Sequence, residues 1–386
     1  MALPPSTQMV LREGYYEFNF GQPDPDLLPL EAMRRAPAAA LQTFGSEMLA
    51  YGAPEGAWPL LGWIRERIEA REGIGVSLDE CIGTGGNSDA IDQVCTLFTE
   101  PGDVAFVESP TYHLGLKILR DHRLELRPVP TDGDGMQVDV FEDQLRETAR
   151  QGRRARLIYT IPTFHNPTGV NLSPERRRRL VDLAAAHGLI VLEDDVYREL
   201  AYDGPSPSSL FSIAPRGTVI RMGSFAKSLA PGLRLGWLNC SREQAHRFAD
   251  GGLRDSGGAP NFAAAMMVAA LCAAGDFDTH GARLRDAYRE RRDALASALR
   301  DSLPDGCTFN VPGGGYFIWV TLPPHVDAEA VLERADPYKL AFIPGARLTL
   351  DGRGRSALRL SFALMKPPAL AEGARRLGEL LATVLD

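Results

Sequence analysis

Short apolar runs alternate with amphipathic stretches through the middle of the chain. "DVAFVE" (Asp103 to Glu108), "ARLIYTIP" (Ala155 to Pro162), "GLIVLEDD" (Gly188 to Asp195) and "GTVIRMGS" (Gly217 to Ser224) are rich in β-formers and bounded by Gly, Pro or charge. Such runs predict buried strands. Between them, "PERRRRLVDLAAAHG" predicts a helix with Ser173 as N-cap, Pro174 as first residue and Gly188 at its end. Leu180 and Leu183 supply its buried stripe, and the run Arg176 to Arg179 is expected on a solvated face. Near-continuous apolar strands alternating with helices imply a mostly parallel sheet covered on both faces. The character changes after about residue 245. A long helical pattern, "HGARLRDAYRERRDALASALRDSL", leads into the strands "GGGYFIWVTL" and "ALRLSFAL" and a closing helix, "PALAEGARRLGELLATVLD".

The expected organisation has three parts. Residues 1–50, rich in Pro and turns, join the small domain across its junction with the sheet. Residues 51–245 form a large α/β domain. Residues 246–386 supply a connecting helix and a small α+β domain. Phe18 and Phe20 alternate as strand residues do, which favours core positions over a pocket wall with Tyr15 and Tyr16.

Composition narrows the function classes. The 386 residues are 44% apolar and 24% charged, an ordinary globular balance with length enough for a sizeable core. A net charge of -8 argues against a nucleic-acid or anionic-membrane partner. The five cysteines are widely spaced without a CxxC, which fits a reduced, cytoplasmic protein and no metal site. The opening stretch "MALPPSTQMVLREGYYEFNF" lacks a signal pattern, and no run of 18 apolar residues predicts a membrane span. No GxGxxG opens a βαβ unit, so a nicotinamide-binding enzyme is set aside.

Open parallel sheets bind ligands at the C-terminal ends of their strands. Asn166 follows one predicted strand, Asp194 closes the next, and Ser224 and Lys227 follow a third. An amine on such a crowded rim has a lowered pKa and becomes a nucleophile toward carbonyls. Pyridoxal phosphate offers an aldehyde to that amine, a pyridine nitrogen that wants an acid partner and a phosphate that wants donors. Asp194 suits the nitrogen. Ser224 and Arg234 suit the phosphate, with Pro231 and Gly232 returning Arg234 to it. The glycine-rich turn "TGGNSDAID" (Thr84 to Asp92) enters a helix whose free N–H groups, around Gly86, Asn87 and Ser88, suit phosphate oxygens.

Six segments, in order, resemble those of fold-type I pyridoxal-phosphate enzymes of the class I/II aminotransferase family, and the likeness spans nearly the whole chain. It is nearest to the 2-aminoadipate, aromatic and multi-substrate subgroup. "SFAKSLAPGLRLGW" resembles the cofactor-lysine motif, implying Lys227 as the Schiff-base lysine. "HNPTG" implies Asn166 on the cofactor's phenolic oxygen. "EDDVY" implies Asp194 for the ring nitrogen and Tyr197 for the phenolic oxygen. "ESPTYHL" implies that Tyr112 stacks on the ring, and "YGAPEGAWPLLGWI" that Tyr51 reaches the phosphate of a neighbouring subunit. "ALRLSFA" implies that Arg359 clamps the substrate α-carboxylate, with Gly21 and Asn166 beside it. Lys227, Asp194 and Tyr112 are the implied catalytic group. The resemblance also implies a large, mostly parallel sheet sandwiched by helices, a smaller α+β domain and a homodimer with shared sites.

Two features depart from the family pattern. Where its members carry Gly-Ser-Gln-Gln, this chain has Gly86, Asn87, Ser88 and Asp89, and Asp89 is expected to point away from phosphate. His113 and His165 flank Tyr112 and Asn166, and either would act as a second acid-base group if it faced substrate. The implied activity is transfer of an amino group between an L-amino acid and a 2-oxo acid. The alternative is a lyase, decarboxylase or oxidase on the same fold. A transcriptional regulator is disfavoured by the acidic charge and by family-like sequence beginning near "YEFNFGQPDPDLLP". Arg359 specifies an α-carboxylate and leaves the substrate side chain open.

Overall fold

The computed structural model describes residues 8–385, so the first seven residues of the expected N-terminal segment lie outside it. Eight strands form the large sheet, in the order Cys81–Thr84, Gly236–Asn239, Val219–Ser224, Ile190–Asp194, Ala155–Thr160, Val104–Ser109, Glu125–Asp132 and Gly135–Met136. The five strands from Val219–Ser224 to Glu125–Asp132 run parallel. Gly236–Asn239 is antiparallel to both of its neighbours, and Gly135–Met136 closes the far edge antiparallel.

Alternation divides the buried strand residues between two cores. Ala105, Val107, Leu157, Tyr159 and Leu192 join the helices Asn87–Phe98 and His113–Asp121 on one face. Val104, Phe106, Ile158 and Val191 join Trp58–Glu72, Val138–Arg150 and Pro174–Ala186 on the other. Both faces are therefore apolar, and each strand reads as a continuous hydrophobic run. The chain after residue 245 contributes to both parts of the molecule. Phe262–Ala273, apolar all round, packs with Trp58–Glu72 under the large sheet. Asp276–Ser302 instead packs along the closing helix Pro367–Leu385 beside a four-stranded antiparallel sheet. That sheet pairs Phe317–Thr321 with Ala357–Ser361 at its centre.

The N-terminal segment ties this smaller unit to the large sheet. Tyr16–Glu17 pairs with Leu340–Ala341, and Ser361 donates to the Phe18 carbonyl at 2.9 Å. Phe18 is fully buried, and Phe20 is half-buried. Tyr15 donates to Asp336 and stacks under Arg12, while Tyr16 lies under Arg376. These contacts hold the two tyrosines against the smaller unit.

One arginine differs from the solvated face expected for residues 176–179. Arg176 and Arg179 do pair outside, with Asp132, Asp139 and Glu142. Arg177 turns inward and is 2% exposed. It donates to the carbonyls of Leu172 (2.8 Å), Ser208 (2.9 Å) and Pro162 and to the Thr163 hydroxyl (3.1 Å). Loop carbonyls that no sheet partner reaches demand a donor, and a guanidinium can serve several at once. Among the described residues no helix is long and apolar enough to cross a membrane, and no His/Cys/Asp/Glu group could hold a metal.

Candidate active site

Three adjacent parallel strands, ending at Thr160, Asp194 and Ser224, deliver Asn166, Asp194 and Lys227 to one rim. Lys227 Nζ donates to the Gly21 carbonyl at 2.5 Å and lies 5.6 Å from the centre of the Tyr316 ring. Tyr316 donates its hydroxyl to the Lys227 carbonyl at 3.1 Å, which fixes the backbone below the amine. The lysine as a whole is only half-buried, yet its amine lies deep enough for desolvation to dominate. Burial pushes its pKa down to about 8, Arg359 and Arg234 push the same way, and Asp194 opposes them. Near neutral pH a useful fraction is therefore the free amine.

Asp194 is 4% exposed. Tyr159 donates to its Oδ2 at 2.8 Å and Asn87 Nδ2 to its Oδ1 at 2.6 Å. Burial pushes the carboxyl up to about 6 against the pull of these two donors. Sequence reading missed Tyr159. The available signal was a phenol in an otherwise apolar strand, on the face that alternation also assigns to Asp194.

The glycine-rich turn borders the same rim, where Asn87 meets Asp194. Gly86 has φ +93° and stands just before the helix Asn87–Phe98. A Cβ there would come within 2.9 Å of Arg234 Nη2. Arg234 holds a left-handed backbone, φ 48°, which costs a residue with a Cβ about 1–2 kcal/mol. Asn261 secures that turn by donating to the Arg234 carbonyl at 2.5 Å. Asp89 accepts from Gly85 N (2.7 Å) and Gln93 Nε2 (2.6 Å), so it turns back into its own helix. Ser88 is exposed, and the Ser224 hydroxyl accepts from Ala226 N at 3.1 Å.

Arg359 closes the cleft from the smaller unit. Its Nη1 donates to Asn166 Oδ1 at 3.1 Å, its Nη2 to the Asn19 carbonyl at 2.7 Å, and its guanidinium lies 4.2 Å from the centre of the Phe317 ring. Arg359 is 3% exposed, and its Nε is buried without a partner. Burial pushes its pKa down to about 10, so it stays a cation at neutral pH. Among the described residues no carboxylate pairs with it. A buried cation of this kind is an anion site. Together, a guanidinium beside a helix N-terminus, a buried carboxylate and an amine that feels the charge of both fit the phosphate, ring nitrogen and aldehyde of pyridoxal phosphate.

The sequence profile of the family described as aminotransferase class I and II matches residues 16–377. The chain belongs to that family. It is 32% identical to aromatic-amino-acid aminotransferase 1 of Thermococcus litoralis, over 93% of this chain and 86% of the relative. Its fold superposes on the multiple substrate aminotransferase of Thermococcus profundus with a TM-score of 0.91 at 30% identity, covering 97% of this chain and 93% of that one. The α-aminoadipate aminotransferase LysN of Thermus thermophilus, solved with N-(5'-phosphopyridoxyl)-L-leucine, gives 0.86 at 33% identity, with 97% and 93% covered. The protein is a pyridoxal-phosphate-dependent transaminase.

In this aminotransferase the two flanking histidines differ in setting. His165 Nδ1 bonds Thr168 Oγ1 at 2.8 Å, and its Nε2 lies 3.1 Å from Glu108 Oε2. Both side chains are 2% exposed, so His165 braces the turn behind Asn166. His113 starts the helix after Tyr112, and its Nδ1 is buried without a partner. Burial and then the charge of Arg359 lower its pKa, so it is neutral at pH 7. Tyr197 is 3% exposed and packs edge-on against Tyr316 and Phe317. Burial, first, raises the pKa of both Tyr197 and Tyr112 and keeps their hydroxyls protonated. Tyr51 is 89% exposed and lies outside its own chain's cleft.

Proposed function

We propose that Lys227 holds pyridoxal phosphate covalently and that the cleft uses it to transaminate L-amino acids with long or bulky side chains. The observation that carries this reading is the convergence of a depressed amine, a buried carboxylate and an unpaired buried guanidinium. When bound, pyridoxal phosphate supplies an aldehyde for the amino group and an electron-poor ring for the electrons left at Cα. Arg359 binds the substrate α-carboxylate and orients Cα toward Lys227. Lys227 Nζ, once displaced, would take the Cα proton and deliver it to the former aldehyde carbon, so that the amino group stays with the cofactor and the substrate leaves, after hydrolysis, as a 2-oxo acid. Asp194 stays ionised against the ring nitrogen. Asn166 and the Tyr197 hydroxyl donate at the phenolic oxygen, Tyr112 covers the ring, and Gly86, Ser88, Ser224 and Arg234 receive the phosphate.

The long-side-chain reading is supported by relatives acting on aromatic amino acids and on 2-aminoadipate. A homodimer is supported by Leu49 (72% exposed), Tyr51 (89%) and Trp58 (42%), apolar side chains exposed close together in sequence. The five free cysteines support a reducing compartment, as in the cytoplasm.

The test is visible absorbance of the purified protein, followed without oxygen against a panel of L-amino acids. The expected band bleaches with aromatic donors and 2-aminoadipate and returns with a 2-oxo acid. Faster bleaching by glycine or alanine would overturn the substrate class. Release of CO2 or free ammonia, or a need for oxygen, would favour the lyase, decarboxylase or oxidase reading.

A further inference from the structure

Asp194 is gripped at both oxygens by neutral donors from different elements. Tyr159 comes from the neighbouring strand Ala155–Thr160, and Asn87 opens the helix Asn87–Phe98. We propose that Asn87 is a positioning residue for Asp194, fixing the carboxylate for the cofactor's ring nitrogen, and that its side chain is not a phosphate ligand.

Three observations carry this. Asn87 Nδ2 lies 2.6 Å from Asp194 Oδ1, so the amide already has a strong, charge-assisted partner. Beside the backbone N–H of Val196, these two side chains hold one oxygen each and stop the carboxylate rotating about its Cβ–Cγ bond, which either alone would not do. Both donors are uncharged, so they hold Asp194 without neutralising it. A lysine or arginine in either place would compete with the ring nitrogen for the same charge. The amide orientation is also determined, because a flip would set Asn87 Oδ1 against a carboxylate oxygen. Asn87 Oδ1 is buried without a partner, so no other hydrogen bond holds the side chain in place.

The remaining charged or titratable groups that Asp194 feels are Lys227, Tyr112, Tyr197 and Asp195. Lys227 is the only cation among them. Without its two clamps, Asp194 would take up a proton more readily. The ring nitrogen would then carry less positive charge, and the Lys227 nitrogen, less repelled, would keep its own proton to higher pH.

The proposal rests on the role given to Asp194 above, and the experiment separates the two. Binding of pyridoxal phosphate and of pyridoxal, which has no phosphate, is measured for the parent, Asn87→Ser, Asp194→Ala and the double variant. The pH midpoint of the visible band is recorded for each loaded protein. Asn87→Ser is expected to weaken both ligands by a similar factor, about tenfold. It should raise the visible midpoint by about half a pH unit or more. In the Asp194→Ala background it should change either affinity less than about twofold, since nothing is left to position. Tyr159→Phe, which removes the other clamp without changing the turn, should reproduce the pattern. Loss confined to pyridoxal phosphate, or an undiminished effect of Asn87→Ser without Asp194, overturns the proposal. An Asp194→Ala protein that binds both ligands as the parent does overturns the role of Asp194 itself.

Discussion

Arg359 reaches the cleft bonded to an amide oxygen and a backbone carbonyl, with a ring beneath it and no counter-ion among the described residues. A cation buried this way lowers stability until an anion arrives. Arg359→Met should therefore raise the unfolding free energy of the cofactor-free protein, measured by denaturant titration, by about 1 kcal/mol or more. The same change should lower kcat/KM for amino donors about a hundredfold, because the α-carboxylate loses its charged partner. An unchanged kcat/KM would remove Arg359 from the site. At Lys227 the sign is set by its depressed pKa, about 8. Only the neutral amine attacks an aldehyde, so the rate of cofactor capture should rise with pH and level off above that value. Stopped-flow growth of the visible band would show this. A rate still climbing in proportion to hydroxide at pH 10 would mean an ordinary exposed lysine.

Two elements position these groups more than their exposed ends suggest. The helix Pro174–Ala186 reaches through Arg177 to the carbonyl of Pro162, at the end of the strand that precedes Asn166. Arg177→Leu would leave the carbonyls of Pro162, Leu172 and Ser208 without that donor. A loss of about 3 kcal/mol in unfolding free energy is expected, with weaker cofactor retention on dialysis. The turn before Asn87–Phe98 depends on Gly86, at φ +93° with Arg234 close by. Gly86→Ala would strain the backbone and displace the guanidinium, so pyridoxal phosphate should bind at least tenfold more weakly. Pyridoxal, having no phosphate, should be affected less.

At the scale of the whole molecule, the cleft is assembled from parts distant in sequence. Gly21 meets Lys227, Asn19 and Asn166 meet Arg359, and these contacts join the N-terminal segment and smaller unit to the large sheet. If Tyr51 completes the neighbouring subunit's site, two defective variants should rescue each other. Lys227→Ala and Tyr51→Ala chains are each expected to be weak alone. Refolded together in equal amounts they should regain about a quarter of parental activity, since half the dimers are mixed and each mixed dimer holds one intact site. Failure of rescue, with mixed dimers present, would leave Tyr51 without a role across the interface.

Much of this was legible in the chain because it depends on local chemistry. The strands 104–109, 155–160, 190–194 and 219–224 follow from apolar runs that any parallel sheet buried on both faces requires. Lys227, Asp194 and Asn166 follow from their places just beyond or at the ends of those runs. The inward turn of Asp89 follows from the repulsion a carboxylate would meet at phosphate. Other features depend on which strands and loops become neighbours, and local pattern does not carry that. The "RRRR" run could not show that Arg177 alone faces in, because the carbonyls it serves belong to separate loops. Tyr159 reads as one more apolar strand residue until Ile190–Asp194 pairs beside it. The contact of Asn87 with Asp194 likewise depends on the helix start lying over that strand's end. Sequence alone determined the sheet and the kinds of chemical group on its rim. Tertiary structure decided which groups touch, because contacts between distant segments arise from packing and not from the order of residues.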